Sequence, residues 1–133
     1  KFELDNYKRH QTVRTFINET KDEIHKVILP IINEGGKIAA YGTSTGATTF
    51  TFNYDLGKYI SFMVDDDEFR HALLSPFYSI PVVSPKKIKE EKPGAIIILA
   101  PLYADNIINK NKEYLSDGGK FIKIWPKFEV ISK

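Results

Sequence analysis

The first part of the chain carries a helical pattern of apolar positions. The side chains that recur three and four positions apart are Val13, Phe16, Ile17, Thr20, Ile24, Val27, Ile28 and Ile31. This spacing predicts an amphipathic helix over about residues 7–33, with Pro30 kinking or ending it and a glycine pair as the stop. We expect residues 1–34 to form a connecting helix, and residues 35–133 to form one further structural unit.

The rest of the chain alternates apolar runs with helical segments. The runs that suit buried strands are residues 38–41, 59–64, 80–83, 95–100 and 120–125. The helical segments expected between them are residues 47–56, 85–91 and 104–116. Uninterrupted apolar strands are typical of a parallel sheet covered on both faces. The alternation predicts a Rossmann-like, doubly wound α/β fold with a mainly parallel sheet of about five strands in the order 3-2-1-4-5.

Composition narrows the class of protein. A chain of 133 residues with 42% hydrophobic residues can bury one core, and a net charge of +2 gives no general attraction for nucleic acid. Cysteine is absent and His10, His25 and His71 lack a ligand spacing, so we expect no metal site here and a cytoplasmic location. The sequence contains neither a signal peptide nor the roughly 20 apolar residues that span a bilayer, so we expect no membrane partner.

The stretch GTSTGA, residues 42–47, links the first strand to the next helix. Backbone N–H groups and the positive end of a helix can hold an anion in such a turn. The spacing of Gly42 and Gly46 is not the full dinucleotide fingerprint, so the glycines can equally serve only to permit a tight turn. Asp65 follows Gly42 by 23 residues, where an acidic residue takes ribose hydroxyls in nucleotide-binding sheets. This favours a nucleotide, and the alternative is a solvated acidic loop.

Four blocks of sequence carry a resemblance to a known family. In order along residues 7–131, YGTSTGATTF, VDDDEFRHALLSPFYSIPVVSP, KPGAIIILAP and GGKFIKIWP resemble the C-terminal domain of the sugar C-methyltransferases. Members of that family use S-adenosylmethionine to methylate a carbon of a nucleotide-linked keto-sugar. The resemblance implies that a zinc-binding region and an S-adenosylmethionine-binding domain precede this one as its partner. It also implies that this piece holds no cofactor and is inactive alone.

The resemblance extends to single residues. Tyr41 and Gly42 match a Tyr-Gly pair at the end of the first strand, and Asp65 matches the Asp that closes the second strand. Arg70 stands where a basic residue is usual. The nucleotide-sugar site that the resemblance implies consists of Tyr41, Gly42, Thr43, Ser44, Thr45, Gly46, Ala47, Asp65 and Arg70.

The chain also departs from the family pattern at two places. Gly46 and Ala47 stand where relatives usually carry Lys or Arg followed by Gly, which removes a cation that would face a diphosphate. Pro101 and Leu102 stand where relatives tend to carry Trp followed by His or Asn. If the turn holds a phosphate, we expect backbone N–H groups and the Ser44 and Thr45 hydroxyls to do so, and we expect the binding to be weak.

No catalytic group is expected among these residues. Ser44 lacks a nucleophile elbow, and His71 beside an acidic loop is typical of a surface histidine. Two functions remain open. The first is a nucleotide-sugar-binding or structural domain of a methyltransferase, and the second is a stand-alone Rossmann-like module that takes NAD or coenzyme A as a regulator. A third hypothesis is a Rossmann-like scaffold that retains no ligand, since a fold does not determine function.

Overall fold

The computed structural model describes residues 1–133 and begins with one long helix, α1, over Phe2–Asn33. Its 32 residues make it about 48 Å long. Of the two alternatives for Pro30, ending the helix is wrong, because Ile31 and Ile32 continue it to the predicted end at residue 33 and pack against the core. The Pro30 carbonyl still accepts a hydrogen bond from the Glu34 N–H at 3.1 Å.

The two halves of α1 have different environments. Residues 1–15 are exposed throughout, whereas Thr20, Ile24 and Ile28 in the second half are buried. The second half of α1 therefore belongs to the core of the sheet, and the first half extends away from it. No helix of the chain combines the length and the apolarity that a membrane crossing requires.

The remaining chain forms one six-stranded sheet in the order β3-β2-β1-β4-β5-β6. The strands are β1 (Ile38–Tyr41), β2 (Ile60–Val64), β3 (Val82–Val83), β4 (Ala95–Ile98), β5 (Phe121–Lys123) and β6 (Glu129–Ile131). The first five are parallel, which confirms the predicted doubly wound sheet and its strand order. The sixth strand pairs antiparallel with β5 and was not predicted, because its three residues lie at an edge and form no buried apolar run.

Four helices follow α1, and two of the three predicted helical segments differ from what the structure shows. The helices are α2 (Thr45–Asn53), α3 (Lys86–Glu91), α4 (Ala104–Lys110) and α5 (Lys112–Ser116). The helix α2 ends before residue 56 because Asp55 adopts a left-handed φ of 52°. The single helix expected over residues 104–116 is divided at Asn111, whose side-chain amide donates to the Ile107 carbonyl at 2.7 Å. Such local bonds compete with the helical backbone.

The sheet buries a cluster of side chains on each face. Ala40 of β1 belongs to one cluster, and its neighbours Ala39 and Tyr41 belong to the other. The first cluster includes residues of α1 and α2, and the second includes residues of α3 and α4. Helices cover both faces of the sheet, so the residues that follow the parallel strands can reach a ligand only at the carboxyl edge of the sheet.

Candidate functional site

A cleft of about 370 Å³ opens at the carboxyl edge of β1, β2 and β4. It lies where the strand order reverses between β1 and β4, the place where open α/β sheets hold ligands. The lining residues are Tyr41, Gly42, Thr43, Ser44, Asp65, Asp66, Asp67, Arg70, Ala100, Tyr103, Asn106, Ile107 and Lys110. Six of the residues proposed from sequence are therefore brought together, and Thr45, Gly46 and Ala47 lie in the first turn of α2 beside the cleft.

Gly42 is required by the geometry of the β1–α2 turn. Its φ is +108°, and a Cβ at this position would lie 2.9 Å from the Ala100 Cβ at the end of β4. Its N–H donates to the Val64 carbonyl at 2.8 Å. Gly46 differs, because an added Cβ would meet nothing nearer than the Ser44 Oγ at 3.7 Å. Only the first glycine is therefore needed for the close approach of two strand ends.

The start of α2 leaves backbone donors free. The N–H groups of Thr43, Ser44, Thr45 and Gly46 donate to no other group of the chain, and Ser44 makes no side-chain cap. The N–H of Ala47 donates to the Ser44 carbonyl at 2.9 Å, and Ala47 is buried. The turn thus offers four free N–H groups at the positive end of a helix, which suits an anion.

Asp65 joins the turn after β1 to the loop after β2. One carboxylate oxygen accepts from the Asp67 N–H at 2.9 Å, and the other accepts from the Thr43 hydroxyl and from Arg70 Nη1 at 3.4 Å. Its side chain is only 14% exposed. These three bonds use three of the roughly four acceptor positions of a carboxylate, so little capacity is left for the two hydroxyls of a ribose. The geometry makes Asp65 a residue that positions Thr43 and Arg70.

Asp66 connects the floor of the cleft to α4. Its carboxylate accepts from the Tyr41 hydroxyl at 2.6 Å and from Lys110 Nζ at 2.7 Å. Burial raises the pKa of Asp66, but the hydrogen bonds from Lys110 and Tyr41 outweigh it and hold the pKa below its ordinary value. Burial, together with the bond to Asp66, raises the pKa of the Tyr41 hydroxyl. Tyr41 therefore stays protonated at neutral pH and acts as a donor.

Arg70 points into the cleft. The direction of its side chain could not be predicted from the sequence. Its Nη1 donates to the Thr43 hydroxyl at 3.0 Å, and its Nε lies 3.5 Å from a carboxylate oxygen of Asp67. The cleft lining contains one more carboxylate than cations, because Asp65, Asp66 and Asp67 face Arg70 and Lys110. Anions must therefore be recognised by directed N–H donors rather than by excess positive charge.

Sequence reasoning missed the side of the cleft that comes from α4 and its preceding loop. Tyr103, Asn106 and Lys110 line the cleft, yet they lie about 60 residues after the β1–α2 turn in a segment without a motif. Only their place after a central strand could have indicated them, because the carboxyl ends of neighbouring parallel strands share one edge.

His71, Trp125 and Phe128 lie outside the cleft. The Nε2 atom of His71 is bonded to the Asp65 carbonyl at 2.7 Å, so the ring braces the loop. Trp125 packs edge to face against Phe16 of α1, with ring centroids 5.9 Å apart, and Phe128 packs against the core. No group of three or more His, Cys, Asp and Glu side chains is placed to hold a metal ion. Trp125 and Phe128 therefore contribute to packing.

Exposed apolar side chains lie on the loops that follow β2 and β4, and these loops also contribute residues to the cleft. They are Phe69, Leu73, Leu74, Phe77, Leu102 and Tyr103, which we call the apolar rim. Phe69 is 94% exposed and Leu102 is 91% exposed. Large exposed apolar side chains of this kind are typical of surfaces that contact another protein or domain.

The family model for the C-methyltransferase C-terminal domain matches residues 1–126. C-methyltransferase NovU of Streptomyces niveus is 31% identical over 111 residues, an alignment that covers 83% of this chain and 26% of NovU. The chain thus spans about a quarter of that relative's length.

The fold is also similar to a solved structure. UDP-D-quinovosamine 4-dehydrogenase from Vibrio fischeri has a TM-score of 0.52 and 17% identity, with 73% of this chain and 93% of that chain covered. At that identity, the likeness supports the Rossmann-like fold alone. The match of the family model over residues 1–126 and the 31% identity to NovU show that the chain belongs to the family of C-methyltransferase C-terminal domains.

Proposed function

We propose that this chain is the nucleotide-sugar-binding domain of an S-adenosylmethionine-dependent sugar C-methyltransferase and that it lacks the methyl-transfer site. The observation that carries the proposal is the cleft itself. It combines free backbone N–H groups at the start of α2, the two cations Arg70 and Lys110, and hydrogen-bonding groups from three strand ends. Nucleotide sugars present the matching groups, namely a diphosphate and several hydroxyls.

Arg70 and Lys110 supply the positive charge that the β1–α2 turn lacks. Lys110 uses one N–H bond to reach Asp66, and an ammonium group has two further donors. Arg70 likewise has N–H groups beyond those bonded to Thr43, Asp65 and Asp67. The carboxylates hold both cations in place, so a diphosphate at the start of α2 meets donors that are already oriented.

The polar side of the cleft suits the hydroxyl groups of a sugar. Asn106 and Tyr103 face the cleft from the side of α4, and Asp66 has acceptor capacity beyond its two bonds. Asn106 is not a base, the lowered pKa of Asp66 makes its carboxylate a weak one, and the raised pKa of Tyr41 keeps its hydroxyl protonated. The domain therefore binds and orients its ligand, and the chemistry takes place elsewhere.

The upstream domain of the methyltransferase covers the apolar rim in this proposal. NovU is about four times as long as the region that it shares with this chain, so such a protein has room for further domains. S-adenosylmethionine and zinc bind to those domains, and the chain has no cysteine to hold zinc. The rim lies on loops that also line the cleft, so a domain that covers the rim also closes the ligand site.

A stand-alone regulator that binds NAD or coenzyme A is the second candidate. The doubly wound sheet and the acidic residue after β2 favour it, because dinucleotide sites use both. The bonds that Asp65 accepts from Thr43, Arg70 and Asp67 argue against it, since they leave about one acceptor position for the two hydroxyls of a ribose.

Removing the positive charge of Lys110 and placing a lysine at position 46 instead tests the proposal. We expect Lys110→Gln to weaken binding of a thymidine or uridine diphosphate sugar by up to about fivefold, as for loss of one exposed ion pair. Adding Gly46→Lys should restore much of the affinity, because the space beside Gly46 is open. Lys112→Gln is the matched control, since Lys112 does not line the cleft.

Calorimetric titration of the chain provides the measurement. The proposal is contradicted if the unaltered chain binds no sugar nucleotide at millimolar concentration, or binds NAD or coenzyme A more tightly. Equal affinities of the Lys110→Gln and Lys112→Gln variants for the sugar nucleotide would show that Lys110 does not contact the ligand.

A further inference from the structure

A second, smaller compartment of about 200 Å³ lies beside the cleft. It is bounded by α2, by β2 and β3, and by the loop that follows Arg70. Its apolar lining comes from Ala47, Met63, Leu73, Leu74, Pro76 and Val82. Most of its lining residues are apolar, whereas those of the cleft are mostly polar or charged.

Thr43 and Arg70 line both compartments. The guanidinium of Arg70 is held between them by Thr43 and by two carboxylates, so it forms part of the wall that the two compartments share. On the cleft side of Arg70 lie three aspartates and Lys110. On the other side, Arg70 is the only charged residue.

We propose that the smaller compartment binds the nucleobase of the nucleotide sugar, a subsite that deepens the proposed function and rests on it. A nucleotide sugar runs from base through ribose and diphosphate to sugar. The chemistry across Arg70 follows the same order, from an apolar compartment through a guanidinium and the start of α2 to a polar cleft. The ligand therefore lies across Arg70, with its base among the apolar side chains and its sugar among the aspartates.

Two hydroxyl groups give the compartment a polar edge. The Thr48 hydroxyl makes no hydrogen bond within the chain. The Ser75 hydroxyl accepts from the Ile80 N–H at 3.1 Å and keeps its own proton to donate. A base can stack its faces against apolar side chains and turn its polar edge to these hydroxyls. A sugar would leave its hydroxyls unpaired against the same apolar wall, which disfavours the reverse orientation.

Filling the compartment tests the assignment. Thr48→Phe places a ring inside it, whereas Thr49→Phe places the same ring one position further along α2 on an exposed residue outside both compartments. We expect Thr48→Phe to weaken binding of uridine diphosphate glucose roughly tenfold or more and Thr49→Phe to leave it unchanged. Glucose 1-phosphate, which has no base, should bind both variants equally. Equal affinity of both variants for the nucleotide sugar overturns the assignment.

A second measurement requires no variant and remains decisive if Thr48→Phe fails to fold. In the unaltered chain with bound uridine diphosphate glucose, nuclear Overhauser effects should connect the uracil protons to the methyl groups of Leu73, Leu74 and Val82. Effects from uracil to Ile107 and Tyr103 instead would overturn the base assignment while leaving the proposed function intact. Absence of any binding by the unaltered chain would overturn both.

Discussion

At the scale of single residues, the two glycines of the β1–α2 turn have different roles. The sequence presents Gly42 and Gly46 as equal members of one turn, yet only Gly42 has a positive φ and a close neighbour. That difference depends on Ala100, which lies far away in the sequence and approaches Gly42 only because β1 and β4 are neighbours. Sequence spacing therefore identified the turn and not the reason for its glycine.

Alanine substitutions at the two glycines should have opposite effects. We expect Gly42→Ala to lower the free energy of unfolding by about 2 kcal/mol or more, from backbone strain and the clash with Ala100. Gly46→Ala should raise it by up to about 1 kcal/mol, because Gly46 is inside α2 with open space around it. Urea unfolding of both variants measures the two changes. Similar losses at both positions would contradict this account of the turn.

The lowered pKa of Asp66 gives a prediction for pH dependence. The pKa of Asp66 is lower in the folded chain than its ordinary value of 3.8. Such a carboxyl group stabilises the fold at pH values above 3.8, and this stabilisation is lost as the pH falls through the pKa of the folded chain. The stability difference between the unaltered chain and Asp66→Asn should therefore shrink below about pH 4. Unfolding measured from pH 6 to pH 2.5 tests this. A difference that grows on acidification would show that Lys110 and Tyr41 do not hold the carboxylate.

At the scale of elements, apolar periodicity predicted the helices and strands that touch the core. The runs in β1 and β4 are buried without a break, and that burial makes them visible in the sequence. The edge strand β6 has exposed side chains at Glu129 and Val130, so it leaves no such trace. The break between α4 and α5 falls at Asn111, whose side chain bonds to the Ile107 carbonyl, and an apolar pattern does not report such a bond.

The uneven burial of α1 leads to a prediction about its two halves. Deleting residues 1–13 should change the free energy of unfolding little, because these residues are exposed. Ile24→Ala should lower it by about 2–5 kcal/mol, because the Ile24 side chain is fully buried. Chemical denaturation checks both, and amide exchange in the unaltered chain should be fast in the first half of the helix. A large loss on deletion would mean that the first half of α1 packs on the domain.

At the scale of the whole molecule, the cleft is assembled from three strand ends that are distant in sequence. The β1–α2 turn and Asp65 were predicted from glycine spacing and from the family resemblance, because each stands directly after an apolar run. The α4 side of the cleft was not predicted, since Asn106 and Lys110 become neighbours of the turn only through the strand order. The fold was therefore more accessible from sequence than the site.

The central claim is that the free donors at the start of α2 bind the diphosphate of a nucleotide sugar. The most direct measurement follows the backbone amide signals of the chain by NMR while a thymidine or uridine diphosphate sugar, NAD or coenzyme A is added. We predict shifts at Gly42, Thr43, Ser44, Thr45 and Gly46 with the sugar nucleotide, in the millimolar range and stronger than with NAD or coenzyme A. If none of the three ligands moves these amides at millimolar concentration, the claim is contradicted.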